Sequence, residues 1–248
     1  MRVDTQPRRA GFRRSGDSLS RMAVEVHVVR VSSGPDGKHG NPLGIVDAAA
    51  VVDDAERQAL AKHLGFSETV FVDLPDPGTR TARARIFTPA AELPFAGHPT
   101  VGLAWWLDDN GLAVDALEVP AGRVETRARH GATWVRSQPD WAPEFTIHPM
   151  PHVEDVVHAR AHDFTSGHHY VWAWEDELEG RIRSRMFAPD LGIAEDEATG
   201  SAAVRITAHL RRALLIVQGR GSRIHTTWGD DGTVEIGGLV RAERRIVA

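Results

Sequence analysis

Two short segments of the chain combine residue types that move protons and hold anions. Gly97-His98 and Gly200-Ser201 each stand at the start of an apolar, helix-like run. The first turn of a helix has unpaired N–H groups and the positive end of the helix dipole, so it draws negative charge. Glycine there allows close approach to the backbone. If the two helix starts face one another, they form a seat for the carboxylate of a small metabolite. The plainer reading is that each glycine only permits a tight turn, and the residues alone leave both open. Glu68 lies in Gly-Phe-Ser-Glu-Thr-Val-Phe-Val, a polar pair among apolar neighbours, and Asp196 lies just before the second helix start. A carboxyl group in apolar surroundings, or beside another carboxylate, has a raised pKa and serves as general acid near neutrality. Here too plainer roles exist: a half-exposed strand residue for Glu68, dipole compensation for Asp196, a hydrogen bond at helix entry for His98. It is the constellation, not any one member, that points to proton transfer.

Positioning these groups is the task of the surrounding elements. Val24–Val31 predicts a first strand, followed by a loop over Ser32–Asn41 and a short strand over Leu43–Val46. Asp53 is placed to cap a helix over Asp54–Leu64, with Glu56 completing a capping box and Gly65 ending it. Strands are expected at Thr69–Asp73 and Thr81–Thr88, then a helix that begins at Gly97-His98, with Pro99 suited to the first helical position, and ends near Asn110-Gly111. Further strands are expected near Ala116–Val119, Arg123–Arg129 and Ala132–Arg136. The proline-rich stretch Gln138–Pro151 reads as a hinge. Beyond it come a short helix, strands around His169–Trp174 and Arg181–Phe187, and a helix from about Ala202 to Val217. A hairpin then turns at Asp230-Asp231-Gly232, between Arg223–Trp228 and Thr233–Ile236. Residues 95–107 align with 198–210 at an offset of 103, matching Gly97 to Gly200, Val101 to Val204 and Leu107 to Leu210. Two copies of one plan suggest a duplicated lobe and not a solenoid.

Composition narrows the chemistry. The 248 residues contain no cysteine, which excludes disulfides, thiolate metal sites and cysteine nucleophiles. Residues 1–21 hold six arginines against Asp4 and Asp17, a net +4; with −5 overall, the remainder carries −9. An acidic body argues against nucleic acid as a partner. The basic start lacks the apolar core of an export signal. It reads as a disordered extension over residues 1–22, or as the product of a start codon upstream of Met22. No run approaches the ~18 apolar residues of a membrane helix, so no membrane partner is expected and the expected compartment is the cytoplasm.

Six motifs then occur in order: Asn41-Pro42, Gly65-Phe-Ser-Glu-Thr-Val-Phe71, Arg85-Ile-Phe-Thr-Pro89, Glu92-Leu-Pro-Phe-Ala-Gly-His-Pro-Thr-Val-Gly102, Arg185-Met-Phe-Ala-Pro189 and Glu195-Asp-Glu-Ala-Thr-Gly-Ser-Ala202. Together they resemble the PhzF family of phenazine-biosynthesis isomerases, over most of Val24–Val240. The resemblance implies an α+β, diaminopimelate-epimerase-like fold. In it two pseudo-symmetric lobes, here 23–140 and 141–248, each wrap a curved, mostly antiparallel sheet around a central helix. It implies a homodimer, and an isomerase that needs no metal or organic cofactor and acts on a small unsaturated or cyclic carboxylic acid. By the same resemblance Glu68 is the proton-transferring residue and His98 and Asp196 complete the catalytic set. Asn41, Gly97, Thr199, Gly200 and Ser201 then bind the substrate. Two departures stand out. Glu197 occupies the position after the aspartate where the family usually has proline, so an extra charge sits by the pocket or faces solvent. The chain is also short for the family, with the missing length expected in the second lobe.

The related racemases oppose two thiols, whose positions correspond to about Ala96 and Thr199. Without cysteine, one-base chemistry at Glu68 with suprafacial proton return fits better. Two other functions remain open at this level: a non-catalytic binding protein for aromatic or amino acids, and an epimerase or racemase using carboxylate and imidazole. The histidines at 148, 152, 158, 162, 168 and 169 show no HExxH spacing and read as a solvated surface, with His168 and His169 placed to approach the cleft. Gly219-Arg-Gly-Ser-Arg lacks the third glycine of a dinucleotide fingerprint and follows a predicted helix.

Overall fold

The computed structural model describes residues 23–75, 78–189 and 193–248; the basic extension expected over 1–22 lies outside them. The fold is α+β and mostly antiparallel. The valine-rich start forms β1 (Glu25–Ser33), followed by β2 (Asn41–Asp47), β3 (Glu68–Asp73), β4 (Thr81–Phe87), the two-residue β5 (Glu92–Leu93), β6 (Ala116–Val119), β7 (Gly122–Arg129) and β8 (Ala132–Ser137). The second half supplies β9 (Thr146–Pro149), β10 (His169–Asp176), β11 (Arg181–Ala188), β12 (Ile193–Asp196), β13 (Leu214–Gln218), β14 (Ser222–Trp228) and β15 (Val234–Val247). The path β1-β2-β3-β4-β6-β7-β8-β15 returns to its start, because the far part of β15 pairs with β1. That closed ring surrounds α2 (Gly97–Asp109), which touches β8, β1, β15, β2 and β3. Ten of its thirteen residues are buried, as a helix enclosed on all sides requires. From β15 the sheet continues as β14-β13-β11-β10-β9, and α4 (Gly200–Leu210) packs on β14 and β15.

The helices α2 and α4 begin at the aligned glycines, Gly97 and Gly200, 103 residues apart. On the outer surface α1 (Asp54–Leu64) packs on β3 and β4, and α3 (Val153–His158) on β10 and β11. Asp53 caps α1 by accepting from Ala55 N at 2.9 Å and Glu56 N at 3.1 Å. Asp53→Ala is expected to cost about 1 kcal/mol, read as a lower urea midpoint at unchanged slope; an unchanged midpoint would show that the cap carries no weight. No described helix is long and apolar enough to cross a membrane.

Four local expectations need correction. The helix expected over 202–217 stops at Leu210, where Arg211 turns left-handed at φ 52°. Leu214–Gln218 is a strand held on both sides by β11 and β14. Pro99 is the third helical residue of α2 and not the first, still within the turn whose N–H groups lack partners. The proline-rich stretch read as a hinge contains β9, a parallel edge strand on β10 that tolerates Pro149 because its outer side needs no donor. The last strand runs far beyond Ile236, to Val247.

Candidate active site

Everything that places Glu68 lies in one short run. Gly65 ends α1 in the left-handed conformation at φ 67°, and three residues later Glu68 opens β3. Since β2 and β3 are parallel with Leu43 beside Glu68, Asn41 and Ser67 come to the same end of the ring. From the second half, β12 pairs with β11 through Asp196 and Met186 and delivers Asp196 to that end. The two helix starts meet there as well. A Cβ built on Gly200 would lie 2.6 Å from His98 N and 2.8 Å from Gly97 Cα, so the backbones of the two first turns are in direct contact. Neither helix has a side-chain cap. Their leading N–H groups therefore present an uncapped, positively polarised edge.

The carboxylates differ sharply in support. Asp196 Oδ1 accepts from Asn41 Nδ2 at 2.8 Å and Ser67 Oγ at 3.5 Å, and Oδ2 from Thr199 Oγ1 at 2.6 Å. Gln218 Nε2 donates to Thr199 Oγ1 at 2.8 Å and to Asp196 O at 2.9 Å. Thr199 Oγ1 thus accepts from Gln218 and donates its one proton to Asp196, and it accepts no capping bond from the helix it precedes. Burial pushes the Asp196 pKa up, and these donors pull against it. Glu68 has no such help. Its side chain is 15% exposed, and Oε2 lies 3.3 Å from His98 Nδ1 but lacks hydrogen-bond alignment. Burial first, and the Asp196 charge second, hold the Glu68 pKa well above the ordinary carboxylate range. His98 is 3% exposed. Its Nε2 has no partner, and burial lowers its pKa to about 3, so the imidazole is neutral at neutral pH. Two carboxyl groups with environments this unlike can divide the roles of proton carrier and fixed charge.

The structure therefore brings Glu68, His98, Asp196, Asn41, Gly97, Thr199 and Gly200 together from both halves of the chain, with Ser201 next in the same helix turn. Sequence reasoning missed Gln218, a lone polar residue ending an otherwise apolar strand. It also passed over Ser67, although that residue stands beside Glu68 in the quoted motif. Glu197 does not face open solvent: it accepts from Ser222 Oγ at 2.8 Å and from Arg220 N at 3.1 Å. His169 does not join the site. It bonds His148 at 3.1 Å and stacks on Phe164, while His168 packs against Phe145. Among the described residues no group of three or more His, Asp or Glu is placed to hold a metal ion.

A family model described as phenazine biosynthesis-like protein, PhzC-PhzF, matches residues 35–163 and 150–237. The chain belongs to the PhzF family. It is 30% identical over 212 residues to the trans-2,3-dihydro-3-hydroxyanthranilate isomerase of Pseudomonas fluorescens, covering 70% of this chain and 75% of that protein. With the enzyme of the same name from Pseudomonas aeruginosa it shares 32% over 219 residues, 73% of this chain and 78% of the other. A match to an uncharacterised isomerase of Mesorhizobium japonicum is 45% identical over 89 residues, 34% of this chain, and spans only 30% of that relative. The PhzF family structure from Bacillus anthracis superposes with a TM-score of 0.69 at 20% identity, over 92% of this chain and 99% of that one. A hydroxyproline epimerase from Agrobacterium vitis gives 0.59 at 13%, over 93% of each. These structural likenesses establish the shared epimerase-like fold, and the PhzF motifs quoted from the sequence fall within the matched residues.

Proposed function

We propose that this chain is a PhzF-like isomerase that moves a proton between carbons of a small unsaturated or cyclic carboxylic acid, without metal or organic cofactor. One observation carries the reading: Glu68, a buried carboxyl group without a hydrogen-bond donor on Oε2, stands beside neutral His98 and Asp196 where two uncapped helix starts touch. The amides of α2 and α4 hold the substrate carboxylate. Asp196, stabilised by Asn41, Ser67 and Thr199, binds a polar substituent and raises the proton affinity of Glu68. His98 orients a second substituent through its free Nε2. Glu68 takes a proton from one carbon of the conjugated system and returns it to another on the same face. A raised pKa suits this task, because the group must hold the proton between the two transfers.

Proton NMR in D2O with a panel of dihydroaromatic and amino carboxylic acids tests the reading. Conversion to a new isomer is expected with the wild type and not with Glu68→Gln, with any deuterium confined to the carbon that receives the proton. Binding shifts with neither a new isomer nor deuterium incorporation would favour a binding protein and sink the isomerase reading. The pH profile of kcat/KM gives a further check. Glu68 must be ionised to accept the proton, so the acid limb is expected well above the ordinary glutamate range. An acid limb at an unshifted carboxylate value would remove Glu68 from that role.

A further inference from the structure

The residue after Asp196 is tied down more thoroughly than its neighbours in sequence suggest. Glu197 is only 15% exposed. Its Oε1 accepts from Ser222 Oγ at 2.8 Å and Arg220 N at 3.1 Å, and its Oε2 from Arg220 N at 3.2 Å and Arg220 Nε at 3.1 Å. Ser222 is fully buried, and with its proton directed at Glu197 its oxygen accepts from Gly40 N at 2.8 Å. Gly40 precedes Asn41, and Asn41 Nδ2 donates to Asp196 Oδ1 at 2.8 Å and Ala198 O at 3.3 Å. The chain of bonds thus leaves the 196–198 segment at Glu197 and returns to it at Asp196, passing through the first half of the molecule. The turn between β13 and β14 is shaped to receive it: at Gly219 a Cβ would lie 2.7 Å from both Glu197 O and Oε2.

We propose that Glu197 is a positioning residue, which through Ser222 and the Gly40 amide holds Asn41 on Asp196 across the two halves of the site. The proposal rests on the isomerase reading only for its effect on turnover; the circuit itself does not. The plainer alternative is a surface ion pair with Arg220, whose side chain is 76% exposed, and exposed pairs of that kind contribute little. The two alternatives separate by variant. Ser222→Ala and Glu197→Ala both cut the buried link. Arg220→Ala removes the exposed pair and keeps the backbone N–H. Glu197→Gln keeps one acceptor oxygen for Ser222 and Arg220 N.

Amide hydrogen exchange followed by NMR, on the full chain without ligand, reads the circuit directly. Glu197→Ala and Ser222→Ala are expected to speed exchange at Gly40 at least tenfold, with the β1–β2 ladder unchanged, while Arg220→Ala leaves Gly40 protected. Combining Glu197→Ala with Ser222→Ala should add nothing further, since both cut one path. With a substrate found by the D2O screen, Glu197→Ala is expected to lower kcat about tenfold or more with KM moving less than threefold, and Glu197→Gln to recover most of the loss. Unchanged Gly40 exchange in Glu197→Ala overturns the circuit. Faster exchange with unaltered kcat overturns the positioning role. If the wild type turns over no substrate, the isomerase reading is what fails, and Gly40 exchange still decides the circuit.

Discussion

Glu68→Gln is expected to lower kcat by about 10²–10⁴-fold, the range typical for loss of a general acid–base group, with little change in KM. The same substitution is expected to stabilise the protein at alkaline pH. The Glu68 pKa is raised in the folded state, by burial and then by the Asp196 charge. Above the ordinary glutamate pKa the unfolded chain has lost this proton while the folded chain still holds it. Stability therefore falls as pH rises, until the folded group also ionises. Glutamine carries no such penalty. The difference in melting temperature between variant and wild type should then be small near pH 4, grow with pH, and level off beyond the folded pKa. For a chain of this size each kcal/mol corresponds to about 2–4 °C. A variant that melts lower than wild type at every pH would mean that Glu68 is structural. A variant that keeps wild-type turnover would remove Glu68 from the chemistry. Loss of turnover together with a gain in stability is the pattern expected of a site that holds an unfavourable group for function.

Much of this site can be read from the chain because its parts are local. Glu68 follows a glycine-terminated helix by three residues, and both helix starts carry the Gly-plus-polar pattern that the 103-residue offset brings into line. What sequence could not show are contacts made only by folding. Gln218 reaches Asp196 from a strand 22 residues on, and Ser222 reaches Gly40 from 182 residues away. No short-range signal encodes either. The run Leu214–Val217 suits a helix face or a buried strand equally. The end of α4 is marked by Arg211 in a conformation usually signalled by glycine, so no residue type in the sequence announces where the helix stops. The far part of β15 alternates charged and apolar residues weakly. It becomes a strand because β1 offers a partner from the other end of the chain, a tertiary effect that outweighs local preference.

Gly200→Ala is expected to damage both stability and activity, although it adds a single methyl group. Inside a helix, alanine is favoured over glycine by roughly 0.5–1 kcal/mol, so local propensity alone predicts a gain. The contact geometry decides otherwise. The added Cβ would lie 2.6 Å from His98 N, 2.8 Å from Gly97 Cα and 2.9 Å from Gly97 C. All three are backbone atoms, so no side chain can rotate away and the two helix starts must part. Overpacking of this kind costs about 1–3 kcal/mol, which outweighs the propensity gain and lowers the melting temperature. The functional loss should be larger than the stability loss. If both sets of amides hold one carboxylate, moving one set by a large fraction of an ångström spoils the shared seat, and misplacement near 1 Å costs about 10²-fold in rate. The expected result is a folded protein with kcat/KM down by about that factor and weaker binding of a simple carboxylate probe such as benzoate. Wild-type binding and turnover in Gly200→Ala would show that the glycine pair serves packing alone and that the anion is held elsewhere.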